Sequence, residues 1–84
     1  MSKLDKLKAR FQSRPVDFSY SELRTLLRAF GYREDQGKSG SKVAFVNEER
    51  MHIIRLHRPH PADVLKLYQL DQILAELKAK GEIQ

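Results

Sequence analysis

The sequence contains no cysteine, so disulfide bonds and thiolate metal sites are both excluded. It also lacks a long hydrophobic run: the longest uninterrupted one is Val43 to Val46, whereas a membrane-spanning helix needs about 20 apolar residues. The N-terminal segment, MSKLDKLKAR, is charged and has no apolar stretch of the kind found in signal peptides. These absences predict a cytoplasmic protein without a membrane partner.

What the chain has in excess is positive charge. Its 84 residues are enough for one domain with a small core, and contents of 40% hydrophobic and 32% charged residues are typical of a globular protein. Sixteen lysines and arginines oppose eleven acidic residues, which gives a net charge of +5 and a pI near 9.7. A small basic domain attracts phosphate polyanions, although charge alone is weak support because many basic proteins bind no nucleic acid.

Apolar residues at helical spacing predict a short amphipathic helix at the N-terminus. Leu4, Leu7 and Phe11 lie on one face of it, and lysines and arginines fill the rest. We therefore expect residues 1–14 to form an N-terminal helix and residues 15–84 to form the main domain.

Two longer helices are predicted within that domain. One begins at a capping box in residues 19–22, continues with an apolar stripe and stops at Gly31. The other carries its apolar stripe over residues 70–77. Its start is open, because Pro61 could be its first residue or residues 61–68 could be a loop.

Between these two helices the hydrophobic period changes to that of strands. Residues 32–36 form a weak strand candidate, Val43 and Phe45 alternate with Lys42 and Ala44, and residues 51–57 form a further β-rich run. Consecutive strands with short links pair antiparallel. The sequence therefore predicts an α+β fold, with a three-stranded antiparallel sheet and two helices packed on one of its faces.

A four-residue turn at residues 47–50 would place Val46 opposite Met51 and Lys42 opposite Arg55. The apolar face of the sheet would then form the core. The opposite face, called the open face below because no helix is expected to cover it, would show Lys42, Ala44, Ile53, Arg55 and His57. Like charges directly opposite each other destabilise a sheet unless an anion lies over them, which predicts a phosphate site. The alternative is that both side chains extend into water.

The glycine-rich stretch 37–42, GKSGSK, precedes the second strand. It is not the ATP-binding P-loop, in which lysine and serine or threonine follow the last glycine directly and a helix comes next. A turn with free N–H groups can still hold a phosphate.

Three histidines fall within nine residues: His52, His57 and His60. In the register above, His52 points to the core and His57 to the open face. They do not converge as metal ligands, and no metal or other cofactor is expected. His57 and His60 could act as general acid or base because imidazole titrates near neutrality, although most surface histidines have no chemical role.

Over residues 19–83 the sequence resembles the HicA toxin family. The resemblance rests on four stretches in this order: SYSELRTLLRAFGY, SGSKVAF, IIRLHRPHP and LYQLDQILAEL. It implies a double-stranded-RNA-binding-domain-like fold, cleavage of mRNA and neutralisation by a HicB antitoxin protein. The family's catalytic signature is Gly-Ser-His at the start of the second strand. Here Gly40 and Ser41 match, Lys42 stands in the place of the histidine, and His60-Pro61 matches a histidine often seen after the third strand.

Two functions are compatible with this substitution. Lysine supplies a cation but is a poor base at neutral pH, so Lys42 could stabilise the phosphate while His57 or His60 moves the protons of mRNA cleavage. Alternatively, loss of the histidine leaves a non-catalytic module that binds RNA or a protein. Whether or not RNA is cleaved, the contacts expected with it come from Lys38, Gly40, Ser41, Lys42, Arg55, Arg24 and Arg28.

Overall fold

A computed structural model describes residues 2–36, 40–59 and 62–83 and shows one antiparallel sheet with helices packed on one of its faces. The elements in chain order are α1 (Lys3–Gln12), α2 (Tyr20–Ala29), β1 (Arg33–Gln36), β2 (Lys42–Asn47), β3 (His52–His57) and α3 (Leu67–Ala79). The sheet order is β1-β2-β3, so the predicted α+β fold is confirmed. Within the described residues, no helix is both long and apolar enough to cross a membrane.

Side chains of β2 alternate between the core and the open face of the sheet. Val43 and Phe45 are buried, whereas Lys42 is exposed and Ala44 is partly exposed. The core also receives Ile54 from β3 and buried residues from every helix. This alternation confirms the predicted assignment of the two faces, because side chains along a strand point to opposite sides in turn.

The predicted pairing of β2 with β3 is wrong by two residues. Val46 lies opposite Ile53, not opposite Met51. A shift by an even number of residues leaves each side chain on its own face, whereas a shift by one would have exchanged core and surface. The error therefore changes which side chains are neighbours on the open face without changing which residues are there.

Asn47 explains the shift, because it ends β2 as a buried residue and does not lie in the turn. Its Nδ2 donates to the carbonyl of Phe30 at 3.1 Å, and its Oδ1 accepts the backbone N–H of Arg50 at 3.0 Å. The turn is therefore Glu48–Met51, in which Met51 takes a φ of 54°. Moving a turn by one residue changes every cross-strand partner by two.

The capping box predicted for α2 is confirmed. Ser19 Oγ accepts the backbone N–H of Glu22, and Glu22 Oε1 accepts that of Ser19, both at 3.0 Å. Gly31 follows the helix with a φ of 95°, a left-handed conformation that glycine adopts without steric cost.

α3 begins at Leu67, so the loop alternative for residues 61–68 is closer to the structure than a helix starting at Pro61, which itself lies outside the described residues. The chain before α3 is extended, and Val64 pairs with Ser19 in an isolated antiparallel bridge. This bridge holds the approach to α3 against the start of α2.

α1 shares the core of the rest of the chain. Phe11 is 1% exposed, and its ring lies 5.4 Å from that of Phe18, whereas Leu4 near the start of the helix is 37% exposed. Arg10 donates to Glu22 at 2.7 Å, and this hydrogen bond lowers the pKa of the Glu22 carboxyl below its ordinary value. The domain boundary after residue 14 stays a prediction, and variants of Phe11 and Leu4 can test it.

We expect Phe11→Ala to lower the free energy of unfolding by about 3–5 kcal/mol, because it leaves a cavity in the shared core. Leu4→Ala on the same helix is the matched control and should change it by about 0.5 kcal/mol or less, since Leu4 is partly exposed. Urea unfolding followed by circular dichroism measures both. Equal midpoints for the two variants would show that α1 is energetically separate from the main domain.

Candidate functional site

The open face carries the predicted cations with different neighbours from those expected. Lys42 lies opposite His57, and Arg55 lies opposite Ala44, so the predicted pairing of Lys42 with Arg55 is wrong. Lys42 and Arg55 are instead diagonal neighbours on one face, and Arg55 and His57 are two positions apart on β3. All three side chains are exposed. The structure thus brings Lys42, Arg55 and His57 together, as the sequence led us to expect.

Opposite residues of antiparallel strands alternate between hydrogen-bonded and non-hydrogen-bonded pairs, and the side chains are closer in the second kind. Lys42 and His57 form a pair of the second kind. The backbone N–H of Arg58 donates to the carbonyl of Ser41 at 2.6 Å, which makes the adjacent pair a hydrogen-bonded one. Because the two kinds alternate, Lys42 and His57 form a non-hydrogen-bonded pair, in which Cα atoms are about 4.5 Å apart. The ammonium group and the imidazole therefore extend from neighbouring points on the sheet.

A cavity of about 440 Å³ lies over this face. Lys42, Arg55 and His57 line it together with Ala44, whose small side chain leaves room between the longer ones. Asp35 of β1 pairs with Ala44 from the other side and also lines the cavity. The cavity therefore has basic groups over β2 and β3 and a carboxylate over β1. Sequence reasoning missed Asp35, because the weak pattern of β1 gave it no register.

Among the described residues, no ion pair neutralises the charges of this cavity. Within residues 2–36, 40–59 and 62–83, neither Lys42 nor Arg55 forms a salt bridge, and neither does Asp35. Two exposed cations on one face of a sheet repel each other unless an anion lies between them. A phosphate could accept hydrogen bonds from both, and charge-assisted bonds of this kind are stronger than neutral ones.

Gln69 fixes the backbone at His57. Its Nε2 donates to the His57 carbonyl at 3.0 Å, and its Oε1 accepts the backbone N–H of Lys66 at 3.0 Å. Gln69 is 6% exposed, so both bonds lie in a largely buried environment. One amide therefore caps α3 and holds the end of β3. The only sequence signal for this cap was the glutamine three residues after the cap position. The cap position itself is occupied by Lys66, which is not a typical capping residue.

The start of β2 is open to a ligand on the side of the glycine-rich turn. Gly40 and Ser41 are exposed next to Lys42, and a methyl group added at Gly40 would meet no atom of the described residues within 4 Å. Two of the predicted site residues, Lys38 and His60, lie outside the described residues.

The two arginines predicted from α2 belong to another surface. Arg24 forms an ion pair with Glu34 at 3.4 Å and lies 5.2 Å from the ring of Tyr20, and Arg28 is exposed on the same helix. Tyr20 donates a hydrogen bond to Glu34, and burial together with this bond raises the pKa of Tyr20. α2 packs on the core side of the sheet, so these arginines do not join Lys42 and Arg55.

His52 points to the core side, as expected. Its Nδ1 is hydrogen-bonded to the hydroxyl of Tyr32 at 2.6 Å, and its Nε2 to Glu76 Oε1 at 3.1 Å. Its contacts are structural and do not reach the open face. In the described part of the chain, no group of three or more histidine, cysteine or acidic side chains could hold a metal ion.

Comparison with protein families gave a match over most of the chain. A family model described as "HicA toxin of bacterial toxin-antitoxin" matches residues 20–79, which span the chain from the first residue of α2 to the last residue of α3. The matched part includes Lys42, Arg55 and His57 but not α1. No curated protein and no solved structure matched.

Removing the amide of Gln69 should loosen both groups that it joins. We expect Gln69→Leu to lower the free energy of unfolding by about 1–3 kcal/mol, because a carbonyl and an N–H lose their partners in a buried environment. Gln69→Glu keeps an acceptor for Lys66 but removes the donor to His57. Amide hydrogen exchange should then show normal protection at the start of α3. NMR spectra should show local chemical-shift changes in β3 at His57.

The exposed Gln72 on the same helix provides the control, and Gln72→Leu should leave stability within about 0.5 kcal/mol of the wild type. Unchanged stability and unchanged β3 resonances in Gln69→Leu would contradict the role of this amide.

Proposed function

Since the chain belongs to the HicA family of toxins from bacterial toxin–antitoxin systems, we propose that it acts by binding and cleaving mRNA on the open face of the sheet. A HicB-like antitoxin protein neutralises it. The observation that carries this proposal is the cavity in which Lys42 lies directly opposite His57 and Arg55 lies on the same face.

RNA cleavage requires the protein to assist three chemical events. The 2′-hydroxyl must lose its proton so that its oxygen can attack phosphorus, the charge on the phosphorane must be stabilised, and the 5′-oxygen must take up a proton as it leaves. Lys42 and Arg55 supply the cations that hold the phosphate. His57, beside them, transfers a proton, and His60 is the second proton-transfer group expected from the sequence.

The corrected register favours this arrangement over the one that the sequence suggested. In the expected register, Lys42 would have been opposite a second cation. In the observed one, it is opposite an imidazole, whose ring nitrogens can donate or accept a proton. A phosphate bound by Lys42 would therefore lie next to a group able to act as acid or base.

Asp35 adds an acceptor on the other side of the same cavity. A carboxylate repels phosphate but accepts a hydrogen bond from a hydroxyl. RNA offers such a donor in its 2′-hydroxyl, which DNA lacks. Asp35 therefore suits a ligand with both a phosphate and a neighbouring hydroxyl, and we assign it to recognition of the ribose.

A second function, RNA binding without cleavage, is favoured by one specific feature. In the resemblance to the family, Lys42 takes the place of the signature histidine, and an ammonium group can hold phosphate without performing proton transfer. The two functions share a binding surface and differ only in whether His57 does chemistry.

Lys42→Ala tests the binding surface common to both. We expect weaker binding of RNA and a salt dependence, expressed as the slope of log K against log salt, that is reduced by about 0.7, which corresponds to one lost phosphate contact on a single strand. Lys78→Ala, an exposed lysine on α3, is the matched control. Fluorescence anisotropy over a salt series measures both. Identical slopes for the two variants would remove Lys42 from the RNA surface.

His57→Gln separates cleavage from binding. If His57 transfers a proton, the variant should cleave labelled RNA about 10²- to 10⁴-fold more slowly and bind it with nearly unchanged affinity. Growth arrest on expression should disappear with it. Wild-type protein that binds RNA but yields no cleavage product would favour the non-catalytic function, and growth arrest would then persist in His57→Gln.

A further inference from the structure

Tyr68 differs from the other two tyrosines of the chain. Tyr20 and Tyr32 are 0% and 2% exposed, and their hydroxyls are hydrogen-bonded to Glu34 and His52. Tyr68 is 62% exposed on the first turn of α3, and no described residue is hydrogen-bonded to its hydroxyl. The folded core therefore makes little use of this aromatic ring.

Two cavities at the outer edge of β3 share Tyr68 as a wall. The smaller, about 100 Å³, is lined by Arg55, His57 and Tyr68 among others. The larger, about 420 Å³, is lined by His57 and Tyr68 together with Arg58 and Lys66. His57 also lines the cavity on the open face. The surface therefore continues from Lys42 across His57 to the ring of Tyr68.

Among the described residues, the lining of these two cavities is basic. The described residues that line the two edge cavities include Arg55, Arg58 and Lys66 but no aspartate or glutamate. Arg58 is held in position, because its guanidinium lies 5.0 Å from the ring of Tyr20 and its backbone N–H is bonded to the carbonyl of Ser41. The edge surface thus combines an exposed aromatic ring with a fixed cation.

We infer that Tyr68 stacks against an unpaired base of the RNA, next to the phosphate bound by Lys42 and Arg55, while Arg58 and Lys66 hold the adjoining phosphate. This inference rests on the proposed function and adds a nucleotide subsite to it. Aromatic side chains beside cations bind single strands in this way, because every base has a face to stack. In a duplex the bases are already stacked on one another, so the preferred ligand is single-stranded RNA.

The test uses purified full-length protein and a single-stranded RNA oligonucleotide that contains 2-aminopurine, whose fluorescence falls when it stacks. Wild-type protein and Tyr68→Phe should both quench the signal, because both keep a ring. Tyr68→Leu should lose the quenching and bind the single strand about 5- to 100-fold more weakly. Binding of a duplex of the same sequence should change little.

Met51→Ala is the matched control, since Met51 is 88% exposed at the hairpin turn and lies at the other end of β3 from His57. Circular dichroism checks that each variant is folded.

The outcomes separate this inference from the proposed function. If the wild type binds RNA, Lys42→Ala weakens that binding and Tyr68→Leu does not, the subsite is overturned while the proposed function stands. If the wild type binds no RNA, the proposed function and the subsite are both overturned. If Tyr68→Leu weakens only the complex with a HicB-like protein, Tyr68 belongs to a protein interface and the subsite is overturned.

Discussion

The hydrogen bonds of Asn47 decide which side chains meet in the candidate site. Through Nδ2, Asn47 attaches the end of β2 to the carbonyl of Phe30 after α2, and through Oδ1 it organises the turn that follows. The contact is close: a methyl group on Gly31 would lie 3.3 Å from Nδ2. A buried amide that lost these partners would cost about 1–3 kcal/mol. With Asn47 held in the strand, Lys42 lies opposite His57. With Asn47 in the turn, as the sequence suggested, Lys42 would face a second cation.

Features of the fold that depend on neighbouring residues could be predicted from the sequence, and those that depend on distant ones could not. The faces of β2 followed from a period of two residues, and the start of α2 from a capping box within four residues. The register required the bond between Asn47 and Phe30, which are 17 positions apart. The start of α3 was equally hidden, because its cap combines Lys66 with the amide of Gln69 and carries none of the usual short polar side chains.

The same distinction applies to the site. Lys42, Arg55 and His57 could be assigned to one face from alternation alone, whatever the exact register. Asp35 could not, because the strand that carries it, REDQ, has no apolar alternation to define its faces. Gln69 could not either, since it acts on the outward carbonyl of an edge strand, and only the folded chain brings the two together.

The net positive charge of the sequence does not say which surface a polyanion would meet, whereas the distribution of ion pairs supports the surface given in the proposed function. Five arginines are paired with carboxylates among the described residues: Arg10, Arg14, Arg24, Arg33 and Arg50. Of the three others, Arg55 and Arg58 lie on either side of His57 in the sequence and line cavities with it. Exposed ion pairs contribute little to stability, but each one cancels a charge locally. Among the described residues, the guanidinium groups of Arg55 and Arg58 have no carboxylate partner. Under the proposed function, their charge would direct an approaching RNA to the face on which Lys42 and His57 lie.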